Sequence, residues 1–388
     1  APPHVRTPTA VAISPDGKTL AVGVHSDIIK LFDIATGKEL PVAPDTHDGR
    51  VTGIAFTTGG KGLVTAGTDA TARAWDAATG RPTGKTALGT AGESNPYRVS
   101  PGGKSVVLEE WVGTGERRYV VWNAVTGREV CSFSGEPDGI FGDDGKTFVF
   151  VTGEKRGRIH VWDLDAGKER RALDCEIFTN VLAIRGERLL VEHYHDKLTL
   201  LDLASGKSRV VCDLDKQGII RRVGGDAASL TPPRADRLAH AALSADGKYA
   251  ALEVYRMVDT AAGGYGLYVC ELGTGKVAWR ADLNDPVHAV AFSPDGRRLA
   301  VGGHGVTLYE AATGKRANRF DGHNGVVWCL AFSSDGLWLA SGAGDGTAVV
   351  WARPGEDGPD REGFPVPRDP QRGVGSGDRG NGVGRGPP

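Results

Sequence analysis

The sequence predicts an all-β protein built from eight repeated units with a mean period of about 46 residues. Two kinds of glycine turn alternate along the chain without interruption. The first, of the type Ser-Pro-Asp-Gly, has its glycine at Gly17, Gly60, Gly103, Gly145, Gly186, Gly247, Gly296 and Gly336. The second, of the type Ala-Thr-Gly-Lys, has its glycine at Gly37, Gly80, Gly127, Gly167, Gly206, Gly275, Gly314 and Gly355. Short alternating apolar runs separate the turns, and this pattern predicts antiparallel hairpins rather than helices.

Residues 4–355 resemble a series of WD40 repeats, most clearly in units one, two, seven and eight and least clearly in units five and six. The segments 47–80 and 323–355 carry the resemblance best. It implies a WD-repeat β-propeller, in which each unit forms a blade of four strands, a to d, counted outward from a central channel. Eight units predict eight blades. Seven blades are the alternative, because unit five has neither the usual first turn nor a tryptophan.

Two units share the spacing of four polar and aromatic residues. The sets, with offsets of 18, 22 and 28 residues from the histidine, are His47, Thr65, Asp69, Trp75 and His323, Ser341, Asp345, Trp351. In WD40 repeats these residue types form a hydrogen-bonded network within the blade. A half-buried imidazole and a half-buried indole N–H both need partners. We therefore expect a structural network in two blades rather than a catalytic triad.

The expected domain organisation is a propeller over residues 1–369 and a disordered Gly/Arg/Pro-rich tail over residues 370–388. The tail composition cannot bury enough apolar surface to offset the entropy of ordering. Only three residues precede His4, which aligns with the loop before strand a. Residues 362–368 are therefore predicted to supply the outer strand of the eighth blade. Their two prolines lie on one strand edge, which an outermost strand turns to solvent.

In the implied topology, the a–b and c–d turns form a bottom face, and the b–c and d–a connections form a top face. Extra residues occur only on the top face, at 110–118, 213–238 and 255–265. Insertions confined to one face usually mark the binding face, although tolerated loop padding is the alternative.

Alignment on the first turn glycine identifies the residue that enters strand a near the top of the channel. These residues are Thr9, Thr52, Asn95, Pro137, Phe178, Ala239, His288 and Trp328. Large exposed aromatic and arginine side chains are typical anchors of interfaces. The predicted partner-binding residues of the top face are Trp328, Phe178, His288, Asn95, Trp111, Tyr255 and Arg256. Plugging of the channel is the alternative role for the aromatic residues.

The sequence predicts a non-catalytic scaffold that binds protein or peptide partners and uses no metal or cofactor. A net charge of −2 gives no general attraction to nucleic acid or to anionic membranes. No segment approaches the roughly 18–20 apolar residues of a membrane span, so a soluble protein is expected. The five cysteines form no CxxC pair, and we expect buried free thiols rather than a disulfide framework.

Two other classes of function stay open. A regulatory or sensor module of a larger signalling protein is suggested by a sequence that opens at Ala1 rather than methionine. An eight-bladed quinoprotein-like dehydrogenase is a remote alternative, because residues 275–279 match the Gly-Lys-x-x-Trp motif of that family in one unit only. The compartment is not fixed by the sequence; the cytoplasm is slightly favoured and an exported form is the alternative.

Overall fold

The computed structural model describes residues 8–24, 29–43, 47–88, 94–112, 116–134, 139–152, 157–175, 179–193, 197–219, 236–256, 264–283, 285–352 and 364–365. All regular elements within these ranges are β-strands, and they form eight sheets of four strands. Within each sheet the strand order follows the chain, and neighbouring strands are antiparallel. The predicted all-β fold with eight blades is confirmed, and the alternative of seven blades is wrong.

The strands are numbered in chain order, with the innermost strand of each blade first. Blades one to four contain β1 (Pro8–Ile13), β2 (Thr19–Val24), β3 (Ile29–Asp33), β4 (Glu39–Leu40); β5 (Val51–Phe56), β6 (Gly62–Gly67), β7 (Thr71–Asp76), β8 (Pro82–Ala87); β9 (Ser94–Val99), β10 (Ser105–Val112), β11 (Glu116–Asn123), β12 (Glu129–Ser134); β13 (Ile140–Phe141), β14 (Thr147–Thr152), β15 (Gly157–Asp163) and β16 (Lys168–Cys175). Blades five to eight contain β17 (Thr179–Arg185), β18 (Arg188–His193), β19 (Lys197–Asp202), β20 (Ser208–Asp213); β21 (Asp236–Leu243), β22 (Tyr249–Arg256), β23 (Gly264–Glu271), β24 (Lys276–Leu283); β25 (Ala289–Phe292), β26 (Arg298–Gly303), β27 (Gly305–Glu310), β28 (Arg316–Phe320); β29 (Val327–Phe332), β30 (Trp338–Ala343), β31 (Ala348–Ala352) and β32 (Phe364–Pro365). No element of the described residues is a helix long and apolar enough to cross a membrane.

The glycine turns that define the sequence repeat share one backbone conformation. Fifteen of the sixteen turn glycines lie in the described residues, and their φ angles all fall between +54° and +74°. This left-handed region costs an ordinary L-residue roughly 1–2 kcal/mol, whereas glycine enters it freely. The repeat in the sequence therefore reflects a conformational requirement of each hairpin.

Blade eight packs directly against blade one and closes the ring. Leu20 and Val22 of blade one share a buried apolar cluster with Ala340 and Val350 of blade eight. On the bottom face, the Ser334 hydroxyl donates a 2.8 Å hydrogen bond to the carbonyl of Pro15.

The outer strand of blade eight comes from the C-terminal part of the chain, as the sequence predicts. β32 pairs antiparallel with β31, with Phe364 opposite Val350 and Pro365 opposite Val349. The structure describes only these two residues of the predicted strand 362–368. The expected domain boundary at residue 369 and the tail 370–388 lie outside the described residues.

The described parts of two predicted loop insertions belong to strands, while residues 113–115 and 257–263 lie outside the described part of the chain. The middle strands of blade three, β10 and β11, and of blade six, β22 and β23, have eight residues each, against five to seven in the other blades. The third insertion begins with a turn after β20, in which Leu214 and Ile219 are fully buried. Residues 220–235 lie outside the described part of the chain. The two lengthened hairpins extend the b–c edge of their blades, which is the top face.

Candidate functional site

The innermost strand carries a β-bulge near its top end in several blades. The extra residue is Thr9, Thr52, Ala239 and Trp328 in blades one, two, six and eight, respectively. A bulge leaves one residue out of the ladder and redirects its side chain. The positions aligned from the sequence in these four blades are therefore bulge residues at the top of the channel.

Trp328 and His288 form an aromatic pair across two neighbouring blades, which we call the aromatic platform. Their ring centroids lie 4.3 Å apart with an interplanar angle of 42°. Trp328 retains 46% of its surface exposed, whereas His288 is half-buried. The backbone N–H of His288 donates a 3.0 Å hydrogen bond to the carbonyl of Gly302, which holds this residue against blade seven. The platform thus presents a large apolar surface on a fixed backbone.

In blades three and five the bulge residue differs from the residue that the alignment on the turn glycine identifies. In blade three the extra residue is Tyr97, and the predicted Asn95 pairs in the ladder with Glu109. In blade five the extra residue is Leu182. The reason in blade five is a shorter a–b turn, since Arg185 and Arg188 already pair with each other. The predicted Phe178 lies outside the described residues.

The remaining predicted residues lie on the lengthened hairpins. Tyr255 is 36% exposed and contacts Tyr265 across the hairpin of blade six, with a centroid distance of 5.2 Å. Arg256 pairs with Gly264 one step further out, and Trp111 pairs with Arg117 on the hairpin of blade three. The side chains of Asn95, Trp111 and Arg256 are outside the described part of the structure.

The first network of four residues forms a continuous relay inside blade two. The Trp75 indole N–H donates to Thr65 Oγ1 at 3.0 Å, and Thr65 Oγ1 lies 2.8 Å from His47 Nε2. His47 Nδ1 lies 2.9 Å from Asp69 Oδ1. The backbone N–H of Asp48 donates to the second oxygen of Asp69 at 3.0 Å. The relay therefore connects the loop before β5 with β6, β7 and the b–c turn.

The second network, in blade eight, contains an additional threonine. Trp351 donates to Ser341 Oγ at 2.9 Å, and Ser341 Oγ lies 2.7 Å from His323 Nε2. His323 Nδ1 lies 2.8 Å from Thr347 Oγ1, which donates to Asp345 Oδ1 at 2.6 Å.

Thr347 has a counterpart in blade two. Thr71 Oγ1 donates to Asp69 Oδ1 at 2.9 Å. Both threonines follow their histidine by 24 residues, a shared offset that the sequence contains but that the four-residue pattern omits.

Both relays are closed to substrate. Thr65 and Ser341 have no exposed surface, and the His47 and His323 side chains are likewise buried. Each hydroxyl already receives an indole N–H and contacts an imidazole. The groups therefore hold the blade together, and their geometry does not allow the hydroxyl to reach a bound molecule.

The WD40 model (WD domain, G-beta repeat) matches the chain at residues 40–76, 279–306 and 314–352. The chain contains WD40 repeats. The matched segments cover the three inner strands of the two relay blades, two and eight, and most of blade seven. Unit one, which also resembles a WD40 repeat, lies outside the matched segments apart from its last residues. No curated protein matches the sequence significantly. WD40 propellers are a common fold for protein-interaction scaffolds.

The WD40 relay keeps the His323 imidazole neutral and the Asp69 carboxylate ionised. Burial lowers the pKa of His323, and attraction to Asp345 only partly opposes this effect. Burial of Asp69 acts to raise its pKa, but hydrogen bonds from His47, Asp48 and Thr71 outweigh burial and hold the pKa well below the usual range. A neutral imidazole fits the geometry, since one ring nitrogen accepts from the hydroxyl and the other donates.

We expect His323 to make the propeller less stable as the pH falls below about 6.5. The folded pKa is lowered, so the unfolded chain binds the proton first and stability rises with pH through this window. Denaturant unfolding at pH 5, 6 and 7 measures the effect. His323→Gln is expected to be less stable at pH 7 but to depend less on pH. The exposed His304 is the control, and an equal loss of pH dependence in His304→Gln contradicts the assignment.

The described residues of blades three and four form no such relay, and the tryptophans of these blades show the consequence. The indole N–H groups of Trp122 and Trp162 are buried and have no hydrogen-bond acceptor among the described residues. These are the repeat tryptophans of their blades. The relay is thus a feature of particular blades rather than of the whole ring.

The bottom face of the ring has a groove between blades five and six, with a volume of about 680 Å³. Its walls include Arg188, Lys207, Arg209, Asp246, Lys248 and Glu271. Arg209 donates to the carbonyl of Leu272 at 2.9 Å, and Arg188 donates to that of Asp246 at 3.2 Å. Two of its cations therefore tie the two blades together.

Trp279, which suggested a quinoprotein motif, packs between blades six and seven. Its indole N–H donates to the carbonyl of Ala311 at 2.8 Å, and its ring lies 5.4 Å from that of Tyr309. A side chain at Gly314 would meet the indole at 2.5 Å. This match to the motif is explained by contact between blades.

Proposed function

We propose that the protein is a non-catalytic interaction scaffold that binds a protein or peptide partner on its top face, around the aromatic platform. The observation that carries the proposal is the 46% exposure of Trp328, a residue fixed by a β-bulge and flanked by His288. Keeping an indole in water forfeits the free energy of its burial. Tryptophans with this exposure on a rigid backbone are typical centres of interfaces.

The surroundings of the platform support the same face. Tyr255 and Tyr265 lie on the lengthened hairpin of blade six, next to blade seven, which provides His288. The second lengthened hairpin, in blade three, carries an ion pair between Arg118 and Glu110 at 3.6 Å, and Arg118 also contacts Glu129 of the outer strand β12 at 2.7 Å. The described strands of these two hairpins have eight residues each, so this face offers additional paired backbone to a partner. Ordered backbone reduces the entropy lost on binding.

The experiment selects peptides from a random phage-displayed library on the wild-type protein. The affinity of the selected peptides is then measured by calorimetry for two variants. Trp328→Ala is expected to weaken binding by about 2 kcal/mol, or roughly 30-fold, because the anchor of the interface is lost. Circular dichroism and thermal unfolding verify that the variant folds.

Leu337 provides a matched control on the opposite face. It is 45% exposed, belongs to the same blade as Trp328 and lies in the a–b turn of the bottom face. Leu337→Ala should leave the affinity unchanged. If Leu337→Ala weakens binding and Trp328→Ala does not, the partner binds the bottom face and the proposal is wrong.

A further inference from the structure

Two free cysteines meet in the interface between blades five and six. Cys212 lies on β20, the outermost strand of blade five, and Cys270 lies on β23, the third strand of blade six. Their sulfur atoms are 3.8 Å apart. Both side chains are buried in one apolar cluster, at 2% and 0% exposure. The sequence does not suggest this pair, because the two cysteines are 58 residues apart in the chain.

We propose that Cys212 and Cys270 are an oxidation site, at which hydrogen peroxide converts two thiols into a disulfide that links blades five and six. A disulfide requires a sulfur–sulfur distance of about 2.0 Å, so the two sulfurs must approach by about 1.8 Å. Rotation of the two side chains and a small shift of β20 supply this movement. In the described sheets β20 pairs on one side only, with β19, and local opening of such an edge strand gives the oxidant access.

The environments of the cysteines identify the nucleophile. The Cys270 thiol donates its hydrogen bond to the Cys212 sulfur, which lowers the pKa of Cys212, while the same contact together with burial raises the pKa of Cys270. Burial instead raises the pKa values of Cys131 and Cys329 to about 12. A thiolate is the reactive form, so Cys212 is the preferred site of the first attack.

The reaction balances in two steps. The Cys212 thiolate attacks one oxygen of the peroxide, an S–O bond forms, the O–O bond breaks, and the released hydroxide takes up the proton lost by Cys212. The Cys270 sulfur then attacks the Cys212 sulfur, the S–S bond forms, and the S–O bond breaks. The leaving hydroxide takes the Cys270 proton. The thiols lose two electrons, and the peroxide becomes two molecules of water.

The test treats the folded full-length chain with hydrogen peroxide and maps its peptides under non-reducing conditions. The proposal expects a mass lower by two hydrogens and a single cross-linked peptide pair containing Cys212 and Cys270. It also expects the Tm to rise by about 5 °C, because a long loop is closed in the unfolded chain. A thiol reductant should reverse both changes.

The variants Cys212→Ser and Cys270→Ser should each abolish the cross-link and the rise in Tm. Cys131→Ser, which removes a buried thiol from blade three, should retain both. The proposal is overturned if the wild-type chain keeps five free thiols, if the cross-link joins other cysteines, or if Cys212 is oxidised to the sulfinic acid without pairing. Peptide mapping of the wild-type chain decides among these outcomes even where a variant fails to fold.

Discussion

Replacing Thr65 by valine is expected to lower the free energy of unfolding by roughly 2–6 kcal/mol. Valine has nearly the same shape as threonine, so packing changes little. In the wild-type protein the Trp75 indole nitrogen and His47 Nε2 lie 3.0 and 2.8 Å from the Thr65 hydroxyl oxygen. The substitution removes this hydroxyl and leaves both buried groups without a partner. Each buried unsatisfied group costs roughly 1–3 kcal/mol. Equilibrium denaturation with urea measures the loss.

Thr307 provides the control for this substitution. It is a half-buried threonine of β27 in blade seven and is outside both relays. Thr307→Val is expected to change stability by no more than about 0.5 kcal/mol. A double-mutant cycle that combines Thr65→Val with Trp75→Phe should show coupling of about 1 kcal/mol or more, because the two residues share a hydrogen bond. A small loss in Thr65→Val together with additive energies would contradict the relay.

The sequence predicted those features of the ring that repeat at a constant spacing. The turn glycines recur because every hairpin needs a left-handed residue at the same place, so the count of units equals the count of blades. The relay was predicted in the same way, since His47 and His323 are followed by their partners at equal distances. In each case the same local geometry occurs in more than one unit, so the residues that it requires recur at a constant spacing.

Features that depend on one particular blade, or on contacts between blades, were not predicted. The bulge of blade five moved to Leu182 because a two-residue turn changed the register, and the glycine alignment cannot detect such a change. The strand extensions in blades three and six have a polar sequence that is typical of loops. Glu110 and Arg118, for example, lie opposite each other in the ladder, and this pairing is visible only in the folded hairpin. The two thiols lie on the fourth strand of blade five and the third strand of blade six. They therefore occupy different positions in the repeat, and the spacing of the repeat does not predict their contact.

Gly80 and Gly167 are expected to respond differently to alanine, although both occupy the c–d turn of their blades. Their φ angles are +63° and +61°, so the strain of the left-handed backbone is the same in both variants, roughly 1–2 kcal/mol. A Cβ at Gly80 would collide with the carbonyl of Pro41 and come within 2.8 Å of the Cα of Val42, both in blade one. A Cβ at Gly167 meets no atom within 4 Å.

Gly80→Ala must therefore push blade two away from blade one, in addition to straining the turn. Overpacking against backbone typically costs a further 1–3 kcal/mol, so we expect a total loss of roughly 2–5 kcal/mol, against roughly 1–2 kcal/mol in Gly167→Ala. Urea unfolding of both variants isolates the contact between blades, because the common backbone strain cancels in their difference. Equal losses would mean that the turn of blade two moves freely relative to blade one. A larger loss in Gly80→Ala would show that this turn glycine also sets the distance between blades one and two.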